Sequence, residues 1–338
     1  MQRVSCCKQK SYNSLMNDIY RILVTSAQKK PLLTGLRFVY LAALIYVIVF
    51  WRAIWTPDLL FFMFLGICVL YGKGRQFLFK FGPFVVLLLA YDSLRSIAPF
   101  LNSRVNYWEM IHFDRFIAGG ELPTVILQQW WYNGSVSWFD YYFYLLYMCH
   151  FLVPVIAGLI IWKYRESDFN RFVVSFVVLS YAAFITYVLF PAAPPWMASE
   201  LGLIPNIHKI STDIWWSLGV TDFPSLYRTL SPNLVAAVPS LHSAYPLLIS
   251  IFVFRGFGKK WGAISLIYPI SIWIGIVYMG EHYVFDIVVG VAYVFMSYFF
   301  TLWFFKKYGK NVRKHADRAK SYAKSKIDRK AGSRSSKR

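Results

Sequence analysis

Apolar residues run along this chain in long unbroken blocks rather than in alternation with polar ones. Eight blocks stand out, at about 37–55, 57–71, 83–98, 138–162, 171–190, 240–254, 261–279 and 283–305. About 20 residues of helix cross the roughly 30 Å hydrocarbon layer of a bilayer. Continuous blocks are the pattern of helices, because a strand of a membrane barrel alternates its faces. The pattern therefore predicts an all-α, polytopic membrane protein with about eight transmembrane helices, of which the second, third and sixth are short.

Composition agrees with that prediction: 57% of the 338 residues are hydrophobic and 20% aromatic, too apolar for an ordinary soluble domain. Charge adds an orientation. Of the 36 Lys and Arg residues, 29 fall in the first 36 positions, in the short segments "YGKGRQFLFK", "KYRESDFNR" and "RGFGKK", and in the tail from Lys306. With eight crossings all of these lie on one side, and the positive-inside rule places that side, with both termini, in the cytoplasm. The two long opposite loops, about 99–137 and 191–239, carry few basic residues and a slight acidic excess. The basic tail 306–338 reads as a disordered segment on an anionic lipid surface rather than a nucleic-acid site. No cleavable signal peptide is expected, since the N-terminus is polar and the first apolar block long. Cys6, Cys7, Cys68 and Cys149 all lie outside the exterior loops, so no disulfide framework is expected. Neither a zinc-ligand spacing nor a phosphate-cradling P-loop is present.

Two stretches carry chemistry. In "VPSLHSAYP", Pro239 ends an extended loop, Ser240 is a good N-cap, and His242 falls in the first turn of the sixth block, near the outer membrane face. A helix start offers free amides and a positive dipole end to a phosphate, and a proton donor there serves a phosphoryl leaving group. In "YMGEHYVFDIVVG", Gly280 and Glu281 form a turn, His282 opens the eighth block, and Asp286 follows four residues later on the same helix face. Asp286 is placed to hold one ring nitrogen of His282 and leave the other free as a nucleophile. An ionisable residue inside a span is costly and points to function.

These residues resemble the type 2 phosphatidic acid phosphatase superfamily. Its Pro-Ser-Gly-His motif is matched by Pro239, Ser240 and His242, with Leu241 at the Gly position, and its His-x-x-x-Asp by His282 and Asp286. The resemblance implies a six-helix catalytic core over about 83–305. Two extra helices in 37–82 and a cytoplasmic segment 1–36 precede it, and the 306–338 tail follows. It also implies that His282 forms a phosphohistidine, that His242 protonates the leaving oxygen, that Asp286 orients His282, and that no metal or cofactor is needed.

The family's third motif normally begins Ser-Arg, and here those positions are Gly275 and Ile276. The first motif, Lys-x6-Arg-Pro, is replaced by "FPAAPPW", Phe190 to Trp196. That phrase, the Pro-Ser-Leu-His form, "LAYDSLR" and "HFDRFIAGGELPT" are similar to the inositol phosphorylceramide synthase branch. Fewer cations suit a singly charged phosphodiester better than a phosphate monoester. Candidate donors and substrate-binding groups are Ser240, Arg95, Arg115, Arg228 and Asp114. Trp130, Trp131, Trp215 and Trp216 read as an interfacial aromatic belt, and Cys149 and His150 as mid-span packing. The reading is a membrane lipid phosphotransferase, moving phosphoinositol or a similar head group between lipids at the exterior or lumenal face. Its rivals are a lipid phosphate phosphatase of the same superfamily and a non-catalytic transporter or scaffold.

Overall fold

The computed structural model describes residues 35–40, 42, 43, 46, 57–70, 72, 74–150, 152–220 and 233–335. The chain divides into two compact units, Met1–Val86 and Leu87–Arg338. The first contains α1 (Pro57–Leu70) and the start of α2 (Gly74–Leu101). The last carbonyls of a helix have no partner within it, and Arg37 supplies one by donating to the Leu70 carbonyl at 3.0 and 3.2 Å. Tyr40 donates to the carbonyl of Met63, in the middle of α1, at 3.0 Å.

The second unit takes up the rest of α2 and then α3 (Trp108–Ile117), α4 (Pro123–Trp131), α5 (Trp138–Met148), α6 (Leu152–Tyr164) and α7 (Glu166–Leu189). It continues with α8 (Pro195–Glu200), α9 (Ile210–Ser217), α10 (Leu241–Phe257), α11 (Lys259–Ser265), α12 (Ile267–Tyr278) and α13 (Val284–Ser335). Local chemistry sets several starts. Pro123 and Pro195 sit in the first turn of their helices, where a missing amide costs nothing. At α5 a capping box forms, the Asp140 carboxylate accepting the Ser137 amide at 2.6 Å. The other oxygen of Asp140 accepts the Tyr278 hydroxyl at 2.7 Å, tying the start of α5 to the end of α12.

The protein is an integral, multi-pass, all-α membrane protein. Among the described residues, Gly74–Leu101, Glu166–Leu189, Lys259–Tyr278 and Val284–Gly309 are long and apolar enough to cross a bilayer. The pair α5 and α6, bent by 58°, passes as one broken crossing, and the apolar α10 is shorter. Eight crossings are thus not counted among the described residues. The block 37–55 lies mostly outside them, and α1, at 14 residues, falls short of the length a crossing takes. At the far end of the chain α13 continues as helix to Ser335, through the basic stretch that the sequence suggests is disordered; its many Lys, Arg and Ala residues are good helix formers.

Helix α10 is the hub, touching α6, α7, α11, α12 and α13. The end of α10 remote from His242 is held by Asp168, whose carboxylate accepts from Arg171 and Arg255 at 2.9 Å each. The two long loops are folded bodies. Parallel bridges join Asn106 to Ala192 and Ala192 to Ala236, so the "FPAAPPW" segment lies between two other loop segments. A core of Met110, Ile111, Leu122, Val125, Ile204 and Ile207 packs there against Tyr283. Gln128 pins the loops to α12: its amide donates to the His208 and Tyr278 carbonyls at 2.8 Å and accepts the His208 amide at 2.8 Å.

Helices α10 and α13 meet closely at Gly290, where an added Cβ would lie 2.5 Å from Ser243 Oγ and 2.8 Å from the Ser240 carbonyl. Gly290→Val therefore overpacks the α10–α13 contact, at a cost of about 1–3 kcal/mol. Thermal unfolding of the purified protein in detergent is expected to show a lower midpoint; an unchanged midpoint would mean that the two helices do not meet there.

Candidate active site

Polar groups converge where the start of α10 meets the start of α13. Ser240 caps α10, its Oγ accepting the Ser243 amide at 3.2 Å, while its own amide donates to the Asp286 carbonyl at 3.1 Å. The amides of Leu241 and His242 have no partner among the described residues, and both residues line a pocket. On the other side, Gly280 turns the chain with φ +76°, a left-handed value that glycine adopts without strain. The amides of Glu281 and His282 then both donate to the Ile276 carbonyl, at 3.0 and 3.1 Å.

His282 and Asp286 follow on this frame. His282 Nδ1 lies 3.0 Å from Asp286 Oδ2, which also accepts the Tyr283 amide at 2.9 Å. Asp286 is fully buried. A carboxylate accepts from Nδ1–H, so the imidazole lone pair stands on Nε2. Nε2 in turn faces His242 Nδ1 at 3.4 Å. The His242 ring stacks on Tyr147 at a centroid distance of 4.1 Å and lies 4.2 Å from that of His150. These neighbours fix its plane.

His242 and His282 line an open pocket, and Asp286 stands behind His282, outside its lining. Tyr91, Arg95, Tyr147, His150 and Tyr187 are among the lining residues, as are Pro194, Trp196, Asn233, Leu234 and Glu281. Arg95 is the only Lys or Arg among the described lining residues. Its Nη2 is 3.3 Å from Asp92, and its buried Nε has no hydrogen-bond partner among the described residues. Arg95 thus pairs with Asp92 and lines the pocket as well.

The other candidates from the sequence stand elsewhere. Asp114 accepts the Val284 and Phe285 amides, one on each carboxylate oxygen, at 2.9 Å. It caps α13 rather than facing the pocket. Burial pushes its carboxyl up to about 7, against the pull of these two amides and with a further push from the charge of Asp286. Ser240 is buried in the α10–α13 junction, and Arg115 is not among the lining residues. Arg228 lies outside the described residues. None of Trp130, Trp131, Trp215 and Trp216 lines the pocket; Trp196 does.

Tyr147, His150, Tyr187, Trp196 and Glu281 escaped the list of site residues drawn from the sequence. Some signal exists: Tyr147 and His150 are three residues apart, Tyr91 precedes Arg95 by four, and Glu281 adjoins His282. The positions where the family carries Ser-Arg are given over to packing. A Cβ on Gly275 would lie 2.7 Å from the Phe143 ring, and Ile276 is fully buried.

A family model described as the PAP2 superfamily matches residues 110–300. A phosphoinositol dihydroceramide synthase of Bacteroides thetaiotaomicron is 27% identical over 257 residues, covering 72% of this chain and 82% of the relative. An inositol phosphorylceramide synthase catalytic subunit of Saccharomyces cerevisiae is 21% identical over 300 residues, covering 83% of this chain and 71% of the relative. No solved structure matches significantly.

The two buried aspartates are expected to separate on substitution. Asp114→Ala strands two helix-start amides, so stability falls by about 1–3 kcal/mol and turnover falls with it. Asp286→Asn fills the same space and keeps the fold, but turnover falls by about 100- to 10,000-fold. Unfolding midpoints and initial rates on one preparation check both; equal effects on stability would refute the division.

Proposed function

The chain belongs to the PAP2 superfamily, and we propose that it transfers a phosphoinositol head group from a phospholipid to the hydroxyl of a ceramide-class lipid, through a phosphohistidine on His282. The observation that carries this reading is the His282 ring, held by Asp286 at Nδ1 and facing His242 through Nε2 at 3.4 Å in the lining of a pocket. The names of the two relatives support the choice of head group and acceptor.

The steps balance as follows. His282 Nε2 attacks phosphorus and the bond to the diacylglycerol oxygen breaks, while protonated His242 gives that oxygen its proton. Diacylglycerol leaves. Neutral His242 then takes the proton of the acceptor hydroxyl, whose oxygen attacks phosphorus as the P–N bond breaks. His282 and His242 return to their starting states. Asp286 stabilises the positive charge that His282 carries while it is phosphorylated. Arg95, with the Leu241 and His242 amides, supplies donors to the phosphoryl oxygens. A single cation among the described lining residues suits a phosphodiester of one negative charge.

The distribution of basic residues supports a site on the exterior or lumenal face, with both termini in the cytoplasm and the basic end of α13 near an anionic lipid surface.

Reconstitution with labelled phosphatidylinositol tests the reaction. With ceramide present, the expected products are diacylglycerol and inositol phosphorylceramide. Release of inositol phosphate whether or not ceramide is present would make the protein a hydrolase, and no turnover would remove the enzymatic reading. His282→Ala is expected to abolish transfer. His242→Ala is expected to lose about 100- to 10,000-fold, and much less on a substrate with a phenolate leaving group that needs no proton; equal losses would overturn the assigned roles.

Sidedness has its own test. A cysteine at Glu200, an exposed position on α8, is expected to react with a membrane-impermeant thiol reagent in intact cells, and one at Ser333 only after permeabilisation. The reverse pattern would place the site on the cytoplasmic face.

A further inference from the structure

The transfer reaction asks one imidazole to carry a proton in a place that does not favour charge. His242 must be protonated when the diacylglycerol oxygen leaves, yet it stands partly buried in the pocket wall, and taking a charge out of water is costly. Arg95 is a cation in the same lining, and like charges repel more strongly where the dielectric constant is low. The Asp286 carboxylate stands behind His282, 3.0 Å from its Nδ1. The Glu281 carboxylate lines the pocket and accepts the Ser211 hydroxyl at 2.6 Å. His282 Nε2 faces His242 Nδ1 at 3.4 Å, and the His150 ring centre is 4.2 Å from that of His242. The phenols of Tyr91, Tyr147 and Tyr187 complete the titratable groups of the described lining.

Of these groups Tyr147 meets His242 face to face. The two rings lie 4.1 Å apart between centroids, with an angle of 12° between their planes. The face of an aromatic ring is its negative side, and a cation over it within about 6 Å is attracted. A neutral imidazole gains only stacking from the same contact. Tyr147 is in turn stacked on Tyr144, at 6.0 Å and 20°, and packs against a core drawn from α5, α9 and α12, so its face is in place before substrate arrives. We propose that the face of the Tyr147 ring stabilises the protonated form of His242 and so extends transfer to higher pH, which makes Tyr147 a positioning residue that acts through the proton donor. The inference rests on the role given to His242 above and concerns the ring of Tyr147, not its hydroxyl. A neighbour that favours the charged form raises the pH at which His242 loses its proton. For the donor lipid, kcat/KM reports the first half-reaction, which needs protonated His242, so it falls on the alkaline side as that proton is lost. The acid side, where His282 gains a proton, belongs to the other ring.

The test follows kcat/KM for phosphatidylinositol against pH, with the full-length enzyme and ceramide in mixed micelles. Tyr147→Leu removes the aromatic face, and the alkaline limb of the profile is expected to move to lower pH by about 0.5 to 1.5 units. Tyr147→Phe keeps the face and is expected to hold the limb near its wild-type position. If the Leu variant fails to fold, phenylalanines bearing two and five ring fluorines at position 147 carry the test. Fluorine withdraws negative charge from the ring face with little change of volume, so the limb is expected to step down along that series. A purely structural role would lower the rate at every pH and leave the limb where it is. A donor with a phenolate leaving group needs no proton from His242, and on it the Leu and fluorinated variants are expected to show no such shift. A limb that stays in place across the variants overturns the inference while leaving the transfer reaction intact. A wild-type enzyme that leaves phosphatidylinositol untouched overturns the transfer reading, and one whose profile has no alkaline limb overturns His242 as proton donor; the inference falls with either.

Discussion

The structure depends on how the start of α13 is satisfied away from water. A helix start leaves several amides without partners within the helix, and burying such donors unpaired costs about 1–3 kcal/mol each. Two carboxylates divide the task. Asp286 takes the Tyr283 amide together with His282 Nδ1, and Asp114 takes the amides of Val284 and Phe285. Both carboxylates are themselves fully buried, which is tolerable only because each finds such donors. The arrangement that caps the helix therefore also presents the imidazole. Stability and the orientation of the His282 ring rest on the same few hydrogen bonds.

Glycine makes the meeting of α10 and α13 possible. Because Gly290 has no side chain, Ser240 and Ser243 pack directly against α13, and the Ser240 amide reaches the Asp286 carbonyl. His242 and His282 are 40 residues apart in sequence and belong to different helices, yet their rings stand 5.6 Å apart. A larger residue at Gly290 would move the two histidines as a pair of rigid helices moves.

The loops do more than connect. Their core of Met110, Ile111, Leu122, Ile204 and Ile207 is seated on Tyr283, the residue between His282 and the first turn of α13. The Gln128 side chain fastens the same loops to the end of α12 through three backbone groups. The pocket wall itself is built from the second of these loops, the Glu281–His282 turn and residues of α2, α5, α7, α8 and α10. Its charge is sparse, one guanidinium and one carboxylate among the described lining residues. That balance supports a singly charged head group over a doubly charged phosphate.

Apolar blocks, basic segments and the spacing of His282 to Asp286 are local properties, and these the sequence determined: helical membrane class, and a histidine with a carboxylate one turn on. A period of 3.6 residues settles which side chains share a face within one helix. It does not settle which face of another helix they meet. Asp114 reads as a loop acid in sequence and becomes a cap 170 positions away. His150 reads as mid-span packing, yet the bend between α5 and α6 brings it beside His242. Gly275 and Ile276 look like a deleted cation site, and the fold spends them on contact with Phe143 and on a carbonyl that holds the Glu281–His282 turn. Only the tertiary structure decided these pairings, because packing joins residues far apart in the chain while sequence pattern records only near neighbours.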